Sequence, residues 1–288
     1  VWPAGFEGEL KRIWGSSEVE ILNLAPLRRM DVELAAGEYG LDSERFLAEI
    51  QRRGMPGLAI KPLTLLMLLD QFRDHGCLPE NSIDLYRDAL LRLCEPQTGS
   101  RKDLPNMARL TAVQRFNLAA KAATASTFSM QHQFWSGPGV EAIPGEHVVL
   151  ANLLEGAQVD GLTHLPLSAS ELANEVFDTG LFSCGESGNV LTWSQPSHPE
   201  FLSIWYLQDQ EVATQQVMSL LEHPDEPGQA IIPQLHEVAA WLASHRTDLF
   251  DLLLDREPEV LLLRGRLGAL DQGRRALLTE RILHRFEK

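Results

Sequence analysis

Leu181-Phe182-Ser183-Cys184, Gly185-Glu186-Ser187-Gly188-Asn189 and Val190-Leu191-Thr192-Trp193 form the stretch on which the fold turns. Two short apolar runs flank a loop with two glycines, the form of a β-hairpin. Upstream, Ser168 or Ser170 can cap a helix from Glu171 to Thr179 that stops at Gly180. Downstream, Phe201, Leu202, Trp205 and Tyr206 recur at helical spacing in a helix from Glu200 to Gln210. Helix, hairpin, helix is the order of elements in a winged-helix module.

Working back from this centre, Met107 to Thr127 reads as an Ala-rich helix, and Trp135 to His164 is less regular, with Gly137-Pro138-Gly139 and Pro144-Gly145. Gln97 to Pro105 has linker composition. Ser82 to Cys94 is an amphipathic helix, and Leu63 to Phe72 is apolar nearly all round, so it is expected to be buried on most sides. Pro62 stands at its start, where no amide donor is needed. Gly54-Met55-Pro56-Gly57 is a break. Asp42 or Ser43 can cap a helix to about Arg53, and Arg29 to Tyr39 places Val32, Leu34, Ala35 and Ala36 on helical spacing before Gly40. Val19 to Leu24 alternates as one short strand would. Beyond Pro224 to Gly228, short helices over Ile231–His245, Thr247–Asp255, Glu257–Arg264 and Asp271–Phe286 have the texture of stacked helical repeats.

The expected fold class is therefore mainly α: a helical domain, a winged-helix domain with a small hairpin, and a helical-repeat-like segment. The chain has 288 residues, enough for two or three compact units. Its net charge of −15 makes phosphate backbones and anionic membranes poor partners. Glu171 to Thr179, the helix that would enter a DNA groove, carries Glu171, Glu175 and Asp178 but no Arg or Lys, which opposes a DNA-binding regulator. No run approaches the roughly 18 apolar residues of a membrane-spanning helix. Cys77, Cys94 and Cys184 are widely spaced and form no zinc pattern, which suits buried thiols in a reducing cytoplasm. The start, Val1-Trp2-Pro3, reads as a cut within a longer protein.

Catalytic motifs are missing. GxxxxGK[ST] does not occur, so the chain cannot cradle and hydrolyse a nucleotide as a P-loop enzyme does. His236-Glu237 begins a zincin-like string, but Ala240 stands where the second histidine belongs. A GxSxG elbow is absent too, and Asp251 with Asp255 reads as a solvated acidic face.

Three stretches in order resemble the bacterial NACHT branch of the STAND signalling NTPases. Leu22-Asn23-Leu24-Ala25-Pro26-Leu27-Arg28-Arg29-Met30-Asp31-Val32 is similar to the passage from the family's nucleotide domain into its small helical domain, and Trp2-Pro3 resembles the residues just after that domain's sensor arginine. Leu58-Ala59-Ile60-Lys61-Pro62-Leu63-Thr64-Leu65, succeeded by Leu78-Pro79, Leu85-Tyr86 and Leu93-Cys94-Glu95, is similar to the segment whose proline packs on adenine. Trp193-Ser194-Gln195-Pro196-Ser197-His198-Pro199-Glu200-Phe201-Leu202, with Trp205-Tyr206-Leu207, resembles the winged-helix segment where a histidine five residues before the glutamate reaches the ADP phosphate. Here that position is Gln195. An amide can donate a hydrogen bond but carries no charge. His198, three residues on, either substitutes for it or serves surface or packing.

The resemblance, over roughly residues 19 to 208, implies residues 1–24 as the end of the nucleotide-binding domain, 25–100 as the small helical domain, 101–210 as the winged-helix domain and 211–288 as the start of a helical-repeat sensor. It implies the regulatory part of an ATP/ADP switch for signal transduction or antiviral defence. ADP or ATP with Mg would be held in the intact protein, with Pro62, Gln195 and His198 as contacts and none bound tightly by this part alone. The implied partners are an upstream P-loop domain, further copies in an oligomer on activation, and a sensed protein ligand at the repeats. The rival reading is a helical scaffold that binds a partner protein and no nucleotide.

Overall fold

Capping residues define where the helices begin. The Asp42 carboxylate accepts from the Arg45 amide at 3.1 Å, Asn81 from Asp84 at 2.9 Å, Thr111 from Gln114 at 3.3 Å and Ser168 from Glu171 at 3.3 Å. Each satisfies an amide that the first turn leaves without an intrahelical partner. Gly40 and Gly76 hold positive φ where helices end, a conformation without steric cost for glycine.

The computed structural model describes residues 12–13, 25–95, 110–136, 147–156, 167–184, 190–223, 225, 230–264 and 270–286. Five helices come first: α1 (Arg29–Glu38), α2 (Ser43–Arg52), α3 (Pro56–Ala59), α4 (Pro62–His75) and α5 (Ser82–Leu93). The middle of the chain continues as α6 (Ala112–Ser129), β1 (Gln133–Trp135), β2 (His147–Val149), α7 (Leu150–Leu153), α8 (Ala169–Phe177), β3 (Phe182–Cys184), β4 (Val190–Trp193) and α9 (Ser197–Asp209). The remainder is α10 (Thr214–Leu221), a 3-10 turn at Pro233–Leu235, α11 (His236–His245), α12 (Thr247–Arg256), α13 (Pro258–Arg264) and α14 (Gln272–Phe286). The protein is mainly helical with one small sheet.

That sheet has the order β2-β1-β4-β3. β3 and β4 are the expected hairpin, antiparallel with Phe182 opposite Trp193 and Cys184 opposite Leu191. β1 lies antiparallel on β4, with Phe134 opposite Leu191, and β2 is parallel to β1. Helix, strand, two helices, then a hairpin whose last strand pairs with the first strand is winged-helix topology, extended here by β2. Phe134, Phe177, Phe182 and Trp193 pack edge-to-face or stacked, at 4.4–6.1 Å between centroids, to form the core under the sheet.

α6 and α9 make the most extensive helix pair. Ala119, Ala120, Ala122 and Ala123 are fully buried on α6, and their small side chains let α9 approach closely, with Trp205 edge-on to Phe116 at 4.8 Å. Buried hydroxyls line this seam: Ser203 gives its proton to the Pro199 carbonyl at 2.6 Å and accepts from Thr127 at 3.0 Å, and Ser126 of α6 accepts from the Trp193 indole of β4 at 3.1 Å. Arg115, 1% exposed, donates to Glu175 on α8 at 2.7 Å and to the Cys94 carbonyl at the end of α5 at 3.1 Å, joining three elements.

Several expectations need adjustment. Leu34 is 68% exposed, because it lies about 200° around the helix from buried Val32, whereas Ala36 returns to the buried face. The break at Gly54 gives way at once to the short helix α3, which Pro56 starts. The irregular stretch after Trp135 contains β2 and α7, and α10 fills a span with no expected helix. Val19–Leu24, the linker core from Gln97 and the hairpin loop at 185–189 lie outside the described residues.

Candidate functional site

α4 carries two apolar stripes. Leu65, Leu68, Leu69 and Phe72 enter the core, whereas Leu63, Leu66, Met67, Asp70 and Gln71, at the i, i+3, i+4, i+7, i+8 spacing of one face, line a cavity of about 340 Å³. Leu85, Ala89, Arg92 and Leu93 of α5 form the second wall by the same spacing. The third wall comes from the base of the hairpin and the start of α9: Gly180 precedes β3, Ser194 comes directly after β4, and Gln195 and His198 lead into the helix. The volume lies at the small end of the range for small-molecule sites, roughly 300–1,000 Å³.

Backbone bonds hold the third wall in place. The Gly180 amide donates to the Leu93 carbonyl at 2.8 Å, and the Ser194 amide to Leu181 at 2.9 Å. The Ser194 hydroxyl lies 2.9 Å from the Gly180 carbonyl, and the His198 Nδ1 lies 3.3 Å from that hydroxyl. Since a hydroxyl has one proton and the shorter bond takes it, Nδ1 is assigned as the donor to Ser194 and Nε2 as the bare acceptor. His198 is 2% exposed and its Nε2 is buried with no hydrogen-bond partner. Burial pushes the imidazole down to about 4, against a weaker opposing pull from the Leu181 carbonyl, so the ring is neutral near pH 7.

The charged groups lie on the helical walls. Arg92 Nη1 is 2.7 Å from Asp74, and Arg73 is 3.0 Å from both Asp74 and Asp70. Hydrogen bonds from Arg73 chiefly hold the Asp74 carboxyl below its ordinary range. The Gln71 amide reaches Asp88 at 3.5 Å.

Two of the three sequence candidates, Gln195 and His198, thus meet in one cavity together with the helix that Pro62 begins. Gln195 is exposed at its edge. Pro62 itself is exposed at the first turn of α4 and does not line the cavity; its neighbour Leu63 does. The preceding residues are pinned by the Leu27 amide donating to the Ile60 carbonyl at 2.9 Å. Sequence reasoning does not single out Arg92, Asp70 and Gln71. Their signal is present as charged or polar residues continuing an apolar helical stripe, but such positions are usually the solvated edge of a helix.

Among the described residues no group of His, Cys, Asp and Glu could hold a metal ion, and no helix is long and apolar enough to cross a membrane. No family model and no curated protein matches this chain.

Proposed function

We propose that this chain is the regulatory portion of a bacterial STAND, NACHT-type signalling ATPase, in which the cavity between α4, α5 and the hairpin base takes part in reading ADP against ATP. The observation that carries this reading is the cavity's composition from two modules. Residues 63–71 and 85–93 form one side and Gly180, Ser194, Gln195 and His198 the other, so a bound ligand stabilises whichever arrangement keeps them together. Leu63, Leu66 and Ala89 suit the face of a purine. Gln195, exposed at the cavity edge, can donate to a phosphate oxygen. Nucleotide with Mg supplies the differential contacts that bias the switch when bound. Hydrolysis would depend on an upstream P-loop domain.

In this reading α11 to α14 begin the sensor for a protein ligand, release of the nucleotide-held arrangement permits homo-oligomerisation, and the output is defence or signalling in the cytoplasm. Three free thiols suit a reducing compartment. A second reading, a helical scaffold without nucleotide, draws support from the neutral His198 and from Met30, Leu34, Ile60 and Leu66, all exposed.

Calorimetric titration separates the two readings. ADP should bind this chain weakly and a protein extended upstream through the P-loop domain tightly, and Ala89→Trp, which fills the cavity, should abolish both signals. Absence of binding by both ADP and ATP, here and in a protein extended upstream through the P-loop domain, would leave the scaffold.

A further inference from the structure

A phosphate placed in this cavity needs a cation. Of the residues that line it, two can carry positive charge, Arg92 and His198. His198 is enclosed, with Nδ1 committed to Ser194, and its Nε2 is sealed from solvent. Arg92 differs in each respect. Its side chain is 38% exposed, its charge is permanent, and Nη1 alone is engaged, at 2.7 Å from Asp74. Nε and Nη2 make no hydrogen bond to the described residues and remain as a two-nitrogen fork for an oxyanion.

The counter-ion is also arranged for exchange. Asp74 receives a second cation, Arg73, whose Nε lies 3.0 Å from its other oxygen, and Arg73 also holds Asp70 at 3.0 Å. If Arg92 turns from Asp74 to a ligand, Asp74 keeps its hydrogen bond from Arg73 and is not left without a cation, although that single charge is then shared with Asp70. Asp70, the acidic residue on the cavity wall, also faces Arg73. An exposed pair of this kind is weak, so an incoming phosphate displaces it at small cost.

We infer that Arg92 is the anion-binding residue of the cavity, exchanging Asp74 for the phosphate of a nucleotide whose base lies against Leu63, Leu66 and Ala89. It thereby supplies the charge that Gln195 cannot. This inference rests on the nucleotide reading and adds to it a residue on the helical-domain side.

The test compares ADP with adenosine, which lacks the phosphates, by calorimetry on the 288-residue chain. Arg92→Gln should weaken ADP about tenfold or more and leave adenosine within about twofold. Asp74→Asn breaks the same ion pair but frees the guanidinium, and should tighten ADP about two- to fivefold. Equal ADP affinity in Arg92→Gln and wild type overturns the inference while the nucleotide reading stands. So does a parallel loss of adenosine, or an Asp74→Asn that weakens ADP as Arg92→Gln does, since the ion pair then matters only for structure. If neither this chain nor one extended upstream through the P-loop domain binds ADP or adenosine, the nucleotide reading falls and takes the inference with it.

Discussion

His198 illustrates what burial does to one side chain. Enclosed to 2% exposure, its imidazole is pushed down to about 4, whereas an unfolded chain holds it near 6.5. Between these values the unfolded state binds a proton that the folded state refuses, so stability falls as pH drops through that window and levels off below about 4. The full difference is about 3 kcal/mol. Urea unfolding at pH 7 and pH 5 should show a loss of about 2 kcal/mol in wild type that largely disappears in His198→Gln. Asp31, Glu49 and Asp74 have carboxyls held below their ordinary range, and they add acid sensitivity mainly under pH 4. An equal pH 7-to-5 loss in the variant would show that the histidine is not its source. Cysteine reactivity divides in the same way. Cys94 is fully buried, as expected, and its thiol is pushed up to about 12, whereas Cys77 and Cys184, expected to be buried, are exposed, because one lies just past the end of α4 and the other at the end of the edge strand β3. A thiol reagent should therefore label two cysteines in the native protein and the third only on unfolding; rapid native labelling of all three would contradict the burial.

Between elements, the decisive contacts are the polar ones inside the core. Arg115 ties α6 to Glu175 on α8 and to the end of α5. Arg115→Met removes the guanidinium from a buried pair and should cost on the order of 3 kcal/mol, while Arg115→Met combined with Glu175→Leu should recover a large part of that loss. Thermal or urea unfolding of the singles and the double tests this, and additive losses would count against a buried pair. The α6–α9 seam makes a different demand. Ala123 is fully buried in it, so Ala123→Leu forces the helices apart and should cost about 1–3 kcal/mol, measurable as a lowered urea midpoint with an unchanged slope. The charged faces of these helices could be inferred from periodicity. Their partners could not, because nothing in the sequence around Arg115 points to Glu175, sixty positions away.

At the scale of the molecule, one hydrophobic cluster runs through all three segments proposed from the sequence. Tyr86 of α5 stacks on Phe201 of α9 at 5.3 Å, and Trp241 of α11 meets both, at 5.0 and 5.4 Å. Trp241→Ala should therefore destabilise the whole described core by about 3–5 kcal/mol. Its unfolding, monitored by circular dichroism and by the remaining tryptophans, should stay a single coincident transition; separated transitions would show that the segments fold independently.

The sequence by itself determined most of the helices but not α3, α7 or α10, together with the caps at Asp42 and Ser168, the hairpin and the mainly helical class, because helical periodicity, capping residues and a glycine-bearing loop are local signals. It also placed Gln195 and His198 beside the hairpin and Pro62 at the start of α4. Only the tertiary structure decided that β1 closes on β4, that Leu34 faces outward, that His198 is enclosed and neutral, and that Arg92 shares a cavity with Gln195. Each depends on groups distant in sequence becoming neighbours. A strand of three residues such as β1 or β2 has too little local signal to declare itself without its partner. Burial, which moves a pKa and selects one helix face over another, exists only once the helices have packed.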